Sequence, residues 1–306
     1  MILRKLKRRA LRTVGSSTLL TCALFVADGL LARIRGCSTN DDEHLSGVNL
    51  EDDYIYSKYV ADQYLGNGLA HGKIAEVGPG GNAAVALHLL ANGAESVDLI
   101  DRFQFSHNRS KLDELYRRFD NFSDLSSVKF HVGEQASAER FFNSGRKYDA
   151  IFSCAVLEHL SDPISALSAM ASSLNPGGRM VHQVDLRDHG MFSSAGKHEL
   201  TFLTIGDWIY GLMSEARGRP NRVLIDCYRR TLSACNLEFR VLATHLIEIG
   251  KLPEPMELDQ IAKTLLEQAR ESVARIRPKL IERFRRMQVD DLIVSGIRIE
   301  ATKAAS

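Results

Sequence analysis

Between residues 73 and 186 the chain alternates short apolar runs with helical segments, and this alternation constrains the fold more than any other feature of the sequence. Strands that are apolar along their whole length are buried on both faces, which is typical of a parallel sheet covered by helices. In such sheets the ligand lies at the carboxyl ends of the strands. The pattern predicts strands at 73–78, 96–101, 127–132, 148–154 and 178–186, and helices at 83–92, 106–120 and 163–174.

The turn after the first predicted strand is rich in glycine. Its sequence, EVGPGGNA at residues 76–83, lets the backbone turn tightly and approach a ligand closely. Asp101 ends the second predicted strand, where a carboxylate can accept both hydroxyl groups of a ribose. Two classes of enzyme fit these features, because the glycine pattern also matches the loose fingerprint of a dinucleotide-binding protein.

Three further motifs distinguish the two classes. Glu76 stands two residues before the first glycine, where a carboxylate disfavours a pyrophosphate and favours a cationic ligand. The fourth predicted strand, YDAIFSC, runs into AVLEHL, and LNPGG at residues 174–178 ends the following helix. In this order and at these spacings, the motifs resemble the class I S-adenosylmethionine-dependent methyltransferases. Within that family they are similar to the small-molecule and glycan branch, which has a Leu-Glu-His segment after the fourth strand.

The resemblance covers about residues 73–186 and implies a Rossmann-like α/β fold. The family has a seven-stranded sheet, mostly parallel with an antiparallel last strand, and helices on both faces. Residues 237–247 and 291–301 match its last two strands. We expect a methyltransferase domain over residues 45–306, with insertions at about 187–222 and 250–288, preceded by a basic arm at residues 1–44.

The resemblance also implies that S-adenosyl-L-methionine is the cofactor, and it gives roles to matching positions. Glu76 would lie beside the methionine ammonium group, and Asp101 would hold the ribose hydroxyls. The family often has a glycine at the position of Asn82, but asparagine tolerates left-handed backbone, so we expect binding to be retained. The other matching positions are the backbone of Gly78 and Gly80 against the cofactor, Arg102 and Glu134 at the adenine, and Ser153 and Cys154 on the methionine side.

Methyl transfer mainly requires alignment of the acceptor, and a base assists when the acceptor is a hydroxyl. We expect His189 to be this base, with Asp185 or Asp188 orienting it, because all three follow the fifth predicted strand. His159, after the fourth strand, is a second catalytic candidate, with a structural role as its alternative. His182 lies three residues before Asp185, so the two point to opposite faces of a strand. Asp185, Asp188 and His189 also suit a divalent ion, but no independent feature supports one and we expect no metal.

The charge of the chain is unevenly distributed. Residues 1–36 contain eight basic residues and one acid, a net charge of +7, which leaves −6 for the rest of a chain whose total is +1. This balance excludes a globally basic nucleic-acid-binding protein. Residues 1–14 alternate apolar and basic side chains, which predicts an amphipathic helix. That helix either lies on an anionic membrane surface or packs on its own domain or on a partner subunit. The apolar run at 19–27 is shorter than the roughly 20 residues of a membrane span.

The two insertions would select the acceptor. The first contains four aromatic residues and ends in the basic sequence RGRPNR at 217–222, so it could cover a sugar and bind a phosphate, or it could pack as a second core. The second carries an apolar helical stripe that predicts core packing, with a dimer contact or a lid as the alternative. A tyrosine-rich helix before the first strand could close over the cofactor. The aromatic residues of the first insertion are Phe192, Phe202, Trp208 and Tyr210.

We therefore expect a methyltransferase that acts on a small molecule or a glycan intermediate, by O-methylation of a sugar in cell-surface polysaccharide or related biosynthesis. The expected partners are this acceptor, an anionic membrane contacted through residues 1–36 and a second copy in a homodimer, but no nucleic acid. Five cysteines without a C-x-x-C spacing favour a cytoplasmic setting, including the cytoplasmic face of a membrane. Two alternatives remain open: a degenerate scaffold with the same fold, and an NAD(P)-dependent oxidoreductase.

Overall fold

The computed structural model describes residues 17–35, 50–66, 70–103, 109–119 and 125–305. Eight strands form one sheet within them: β1 (Lys73–Val77), β2 (Ser96–Asp101), β3 (Val128–Val132), β4 (Tyr148–Cys154), β5 (Leu174–Asp185), β6 (Leu237–Leu246), β7 (Gly250–Met256) and β8 (Val294–Lys303). Their order across the sheet is β3-β2-β1-β4-β5-β8-β6-β7. Strands β1 to β5 run parallel, whereas β8 is antiparallel to both β5 and β6.

This architecture confirms the predicted fold class, with one strand more than expected. The additional strand, β7, lies at the outer edge of the sheet and pairs antiparallel with β6. It contains Pro253 and Pro255, which argue against a strand in the sequence because proline has no N–H to donate. An edge strand tolerates proline because one of its sides needs no hydrogen bonds.

Helices cover both faces of the sheet, and alternate residues of β1 divide between two cores. Ile74 packs under α2 (Leu50–Leu65), α3 (Ala84–Ala91) and α4 (Arg109–Tyr116), whereas Ala75 and Val77 belong to the core of the opposite face. That core receives the other helices: α1 (Thr18–Arg35), α5 (Ala138–Phe141), α6 (Pro163–Ser172), α7 (Asp207–Ser214), α8 (Ile225–Ala234), α9 (Lys263–Ile276), α10 (Glu282–Arg285) and α11 (Val289–Leu292).

The helix α1 packs on α7 of the first insertion. Its inward side chains include Cys22, Phe25 and Ala32, all buried. At Gly29 the two helices are so close that an added Cβ would lie 2.2 Å from the Leu212 carbonyl oxygen. For residues 18–35, therefore, the arm packs on its own domain. The amphipathic helix expected at residues 1–14 lies outside the described residues. In the described part of the chain, every helix is too short or too polar to span a bilayer.

Two arginines at the end of the first insertion, Arg219 and Arg222, form their contacts within the protein. Arg219 pairs with Asp28 of α1, and its guanidinium lies 4.4 Å from the centre of the Phe25 ring. Arg222 is buried, donates to the carbonyl of Ile205 and pairs with Asp207. The suggestion that this basic segment grips an acceptor is therefore wrong for these two residues. The aromatic residues of the same insertion are mostly core, since Phe192, Phe202 and Tyr210 are buried, whereas Trp208 is 77% exposed.

Candidate functional site

The glycine turn after β1 has left-handed backbone at Gly78 and at Gly80, with φ values of +67° and +74°. A Cβ on Gly78 would lie 2.4 Å from a methyl group of Val156, so packing also requires a glycine there. A Cβ on Gly80 would meet no atom within 4 Å. The turn therefore keeps open space beside Gly80, where the backbone can lie against a ligand.

The first N–H groups of α3 already have partners. Asn82 Oδ1 accepts a hydrogen bond from Ala84 N at 2.9 Å, and the Tyr116 hydroxyl accepts one from Ala83 N at 2.8 Å. The Asn82 side chain therefore binds the N–H of the first residue of α3 from a position just before the N-cap residue, Ala83. A pyrophosphate would need such N–H groups at the helix N-terminus. Their use within the protein argues against a dinucleotide at this turn.

Glu76 lies on the α2 face of the sheet near the end of β1 and is 2% exposed. Its Oε2 atom has no hydrogen-bond partner among the residues that the structure describes, and burial raises the pKa of the carboxyl group to about 8. A buried carboxylate without a partner is unfavourable, and a cationic group beside it would stabilise the ionised form. The residue therefore fits the ammonium group of S-adenosylmethionine, as the resemblance implies.

The predicted ribose and adenine positions lie at the ends of β2 and β3. Asp101 is half-buried, and its Oδ1 accepts a hydrogen bond from Phe103 N at 2.8 Å. Burial raises the pKa of this carboxyl group, although the bond from Phe103 works against the rise. Arg102 and Glu134 are exposed and form an ion pair with each other at 3.0 Å. The three side chains are thus brought together at one edge of the sheet.

The neighbours Ser153 and Cys154 point to opposite faces of β4. The Ser153 hydroxyl lies 2.8 Å from Nδ1 of His182, in the core opposite to Glu76, so it is engaged away from the expected methionine side. Burial lowers the pKa of His182 to about 3, so this fully buried imidazole is too weakly basic to serve as the catalytic base. Cys154 contacts Tyr56 of α2, and burial, together with the charges of Glu158 and Glu76, raises the pKa of its thiol to about 11. The thiol therefore lies between the cofactor residues and a second cluster.

The second cluster follows the carboxyl ends of β4 and β5. His189 has left-handed backbone, and its Nε2 lies 3.4 Å from Oδ2 of Asp185. Burial alone would lower the pKa of His189, but the contact with Asp185 and the charge of Glu158 outweigh it and raise the pKa. Arg187 donates to Asp185 from Nε and Nη2 at 2.8 and 2.7 Å. Although burial opposes it, these bonds and His189 hold the pKa of Asp185 far below its ordinary value.

Asp188, which was also predicted to orient His189, instead forms hydrogen bonds within its own loop. It is buried and accepts hydrogen bonds from the backbone of Gly190, Phe192 and Ser193 and from the Ser193 hydroxyl. These bonds hold the loop that carries His189 in shape. Orientation of the imidazole therefore falls to Asp185, and Asp188 is the wrong choice for it.

Glu158 belongs to the Leu-Glu-His segment and had no predicted role of its own. In the structure it lies at the centre of this second cluster. Its Oε1 accepts a hydrogen bond from Asp185 N at 3.1 Å, and its buried Oε2 has no partner in the described part of the chain. Burial raises the pKa of this carboxyl group to about 7. His159 Nδ1 lies 2.7 Å from the Gly218 carbonyl, and its ring meets the His189 ring edge-on. One ligand atom each of Glu158, His159 and His189 lies within 4.8 Å of the others, so this group could hold a cation.

Comparison with known proteins agrees with this geometry. A family model described as a methyltransferase domain matches residues 53–223, more than half of the chain. No curated protein matches the sequence.

The chain also has distant similarities to solved structures. A phosphoethanolamine N-methyltransferase 2 from Haemonchus contortus is 12% identical, with a TM-score of 0.46, and the match covers 82% of this chain and 53% of that one. The N-methyltransferase NodS of Bradyrhizobium japonicum is 12% identical, with a TM-score of 0.41 and coverage of 88% and 94%. An O-methyltransferase family protein of Burkholderia thailandensis is 9% identical, with a TM-score of 0.45 and coverage of 84% and 57%. Similarities this distant carry no information on the acceptor.

Proposed function

Because the chain belongs to the S-adenosylmethionine-dependent methyltransferase family, we propose that it methylates a hydroxyl group of a small molecule or glycan intermediate, a sugar of cell-surface polysaccharide biosynthesis being the preferred acceptor. The observation that carries the choice of oxygen is the pair formed by His189 and Asp185. An amine acceptor is nucleophilic once deprotonated, whereas a hydroxyl profits from a base that removes its proton during the reaction.

The cofactor side of the proposal rests on the residues at the ends of β1 to β4. Glu76 would hold the methionine ammonium, Asp101 the ribose hydroxyls, and the backbone at Gly78 and Gly80 would lie against the cofactor. The pair of Arg102 and Glu134 would border the adenine, and Cys154 the methionine side. When bound, S-adenosylmethionine supplies a methyl group that is already activated.

The catalytic side rests on the imidazole of His189. An imidazole that donates from Nε2 to Asp185 has its lone pair on Nδ1, and this atom would accept the proton of the acceptor hydroxyl. The bound cofactor would supply the methyl group to the acceptor oxygen, while the proton of that hydroxyl would pass to Nδ1 of His189. Arg187 and Asp185 are positioning residues, since they hold the ring and stabilise it when it is protonated.

Substitution of His189 by Ala tests this assignment. We expect turnover to fall by about 10²–10⁴-fold because the base is lost, while the affinity for S-adenosylmethionine is retained. Production of S-adenosylhomocysteine should be measured with sugars, phenols and amines as acceptors, next to calorimetric binding of the cofactor. Turnover on amines alone, or a His189→Ala variant as active as the parent, would contradict the proposal.

A second part of the proposal concerns the place of action. We infer that the enzyme works at the cytoplasmic face of an anionic membrane, contacted through residues 1–36, whose net charge is +7. Removal of residues 1–36 would also take α1 away from α7. A better test reverses the charge of Arg4, Lys5 and Lys7 to Glu, which should weaken binding to anionic vesicles and leave turnover on a dissolved acceptor unchanged.

A further inference from the structure

The helix α1 has two apolar sides, and only one of them packs on other residues that the structure describes. Its inward side packs on α7, as described above. Its outward side presents a stripe at helical spacing, which we call the outer face of α1, and Ile34 there is 81% exposed. The other members of the outer face are Leu20, Ala23, Ala27, Leu30 and Leu31.

The outer face of α1 carries no acidic side chain. Asp28, the acid of this helix, is paired with Arg219 against the body of the protein. Leu19 and Ile34, at the two ends of α1, are more than four-fifths exposed, so the apolar surface extends along its whole length of 18 residues. Isolated exposed leucines are ordinary on a protein surface, but a continuous apolar stripe marks an interaction site.

The neighbouring helix α7 adds a second group of exposed apolar side chains. Trp208 is 77% exposed and Ile209 39% exposed, although α7 is otherwise packed against α1 and the core. Tryptophan is the side chain most typical of the boundary between lipid headgroups and acyl chains, because its ring is apolar and its N–H is polar.

The charge of the adjacent chain identifies the partner. The 16 residues directly before α1 contain six basic residues and no acid, whereas the chain after residue 36 has a net charge of −6. An apolar helix face that follows a basic segment matches the surface of an anionic bilayer, where apolar burial and charge attraction act together. A second copy of this protein carries the same basic segment, so it offers less charge complementarity than an anionic surface.

We propose that the outer face of α1, together with Trp208, inserts into the headgroup region of an anionic lipid bilayer while the inner face of α1 stays packed on α7. This inference deepens the membrane contact given under the proposed function and rests on it. It names the inserted surface, and it is independent of methyl transfer, since neither α1 nor Trp208 belongs to the site.

The test uses the full chain, whose single tryptophan is Trp208. Vesicles of phosphatidylcholine and phosphatidylglycerol should shift the fluorescence of Trp208 to shorter wavelength, and the protein should sediment with them. Vesicles of phosphatidylcholine alone should neither shift the fluorescence nor carry the protein into the pellet. Ile34→Glu should weaken vesicle binding by roughly tenfold or more, because burial of one large apolar side chain is worth about that factor. Ile55→Glu is the matched control, since Ile55 is also exposed on a helix, and it should bind vesicles like the parent.

Equal binding by Ile34→Glu and the parent, or sedimentation without a fluorescence shift, would overturn the proposed surface and leave the charged arm as the sole contact. A shift that grows with protein concentration in the absence of lipid would mean that a second copy covers this face, which also overturns the proposal. Turnover on a dissolved acceptor should be the same for Ile34→Glu and the parent, so failure of this inference is distinguishable from failure of the proposed function.

Discussion

Among single residues, Glu76 gives the strongest indication of the charge of the ligand. A buried carboxylate whose Oε2 has no partner among the described residues lowers the stability of the empty protein when it is ionised, because its charge has lost the solvation of water. A bound ammonium group would reverse this effect. The side chain that prepares the site for a cationic ligand should therefore also destabilise the protein without the ligand.

Glu76→Gln should make the empty protein more stable at pH 8.5 and little changed at pH 5. The pKa of Glu76 is raised in the folded protein to about 8 from an ordinary value of 4.5, so the unfolded chain releases the proton first. The free energy of unfolding of the parent then falls as pH rises between these two values and is level above them. Urea unfolding at both pH values measures the difference, for which we expect a few kcal/mol at most.

The matched control is Glu238→Gln, since Glu238 is exposed on β6. It should leave the pH dependence of unfolding as it is in the parent. Calorimetry should show that Glu76→Gln also weakens S-adenosylmethionine binding. A parent protein whose stability does not fall between pH 5 and pH 8.5 would show that Glu76 is ionised and has a partner.

Asp101→Ala should weaken the affinity for S-adenosylmethionine by about 10–100-fold. Each hydrogen bond between a carboxylate and a ribose hydroxyl contributes about 1.5–3 kcal/mol, and part of this is recovered by water. Calorimetric titration measures the loss, and Glu238→Ala is the control. Unchanged affinity would show that Asp101 only caps the turn at Phe103.

The site residues that could be predicted from the sequence are those whose role follows from local position. Glu76 and Asp101 end strands, and Asp185 and His189 lie four residues apart, so their placement needs little knowledge of the rest of the chain. The partners of His159 and Arg219 could not be predicted, because Gly218 and Asp28 are distant in sequence. A basic segment looks the same in sequence whether its arginines bind a ligand or an internal carboxylate.

Among the elements, α1 and α7 depend on one close contact. Gly29→Ala ordinarily stabilises a helix by up to about 1 kcal/mol. Here the new methyl group would meet the Leu212 carbonyl oxygen, which belongs to the backbone of α7 and cannot turn aside. We expect a net loss of about 1–3 kcal/mol and easier proteolysis of α1.

Ala23→Leu is the control for this helix, because Ala23 lies on the outer face of α1. It should leave urea unfolding and protease resistance as they are in the parent. A Gly29→Ala variant more stable than the parent would mean that α1 does not pack on α7 at this distance.

The elements that sequence reasoning predicted well are β1 to β5, whose apolar runs are bounded by turns. The edge strand β7 was missed because its two prolines oppose a strand, and pairing with β6 overrides this local preference. Packing of the arm on its own domain was one of the open interpretations, but α7 was not predicted as the helix that α1 contacts. The close contact that allows this packing, between Gly29 and the carbonyl group of Leu212, could not be predicted because the two residues are distant in sequence.

At the scale of the whole molecule, the proposed cofactor residues and the proposed catalytic residues lie at the ends of different strands. The carboxyl ends of β1 to β3 carry the residues that we propose for the cofactor, and the proposed catalytic pair consists of Asp185, which ends β5, and His189, which follows it. Cys154 lies between the two groups. The outer face of α1 contains none of these residues, so we expect the proposed membrane contact and the chemistry to be altered separately by mutation.

The most direct test is a calorimetric titration of the purified chain with S-adenosylmethionine, S-adenosylhomocysteine and NADH. Both adenosyl ligands should bind, because Glu76, Asp101 and the open space beside Gly80 suit them. NADH should give no heat, because Asn82 and Tyr116 already use the N–H groups that a pyrophosphate would need. Binding of NADH, or silence with both adenosyl ligands, would contradict the assignment of this site to methyl transfer.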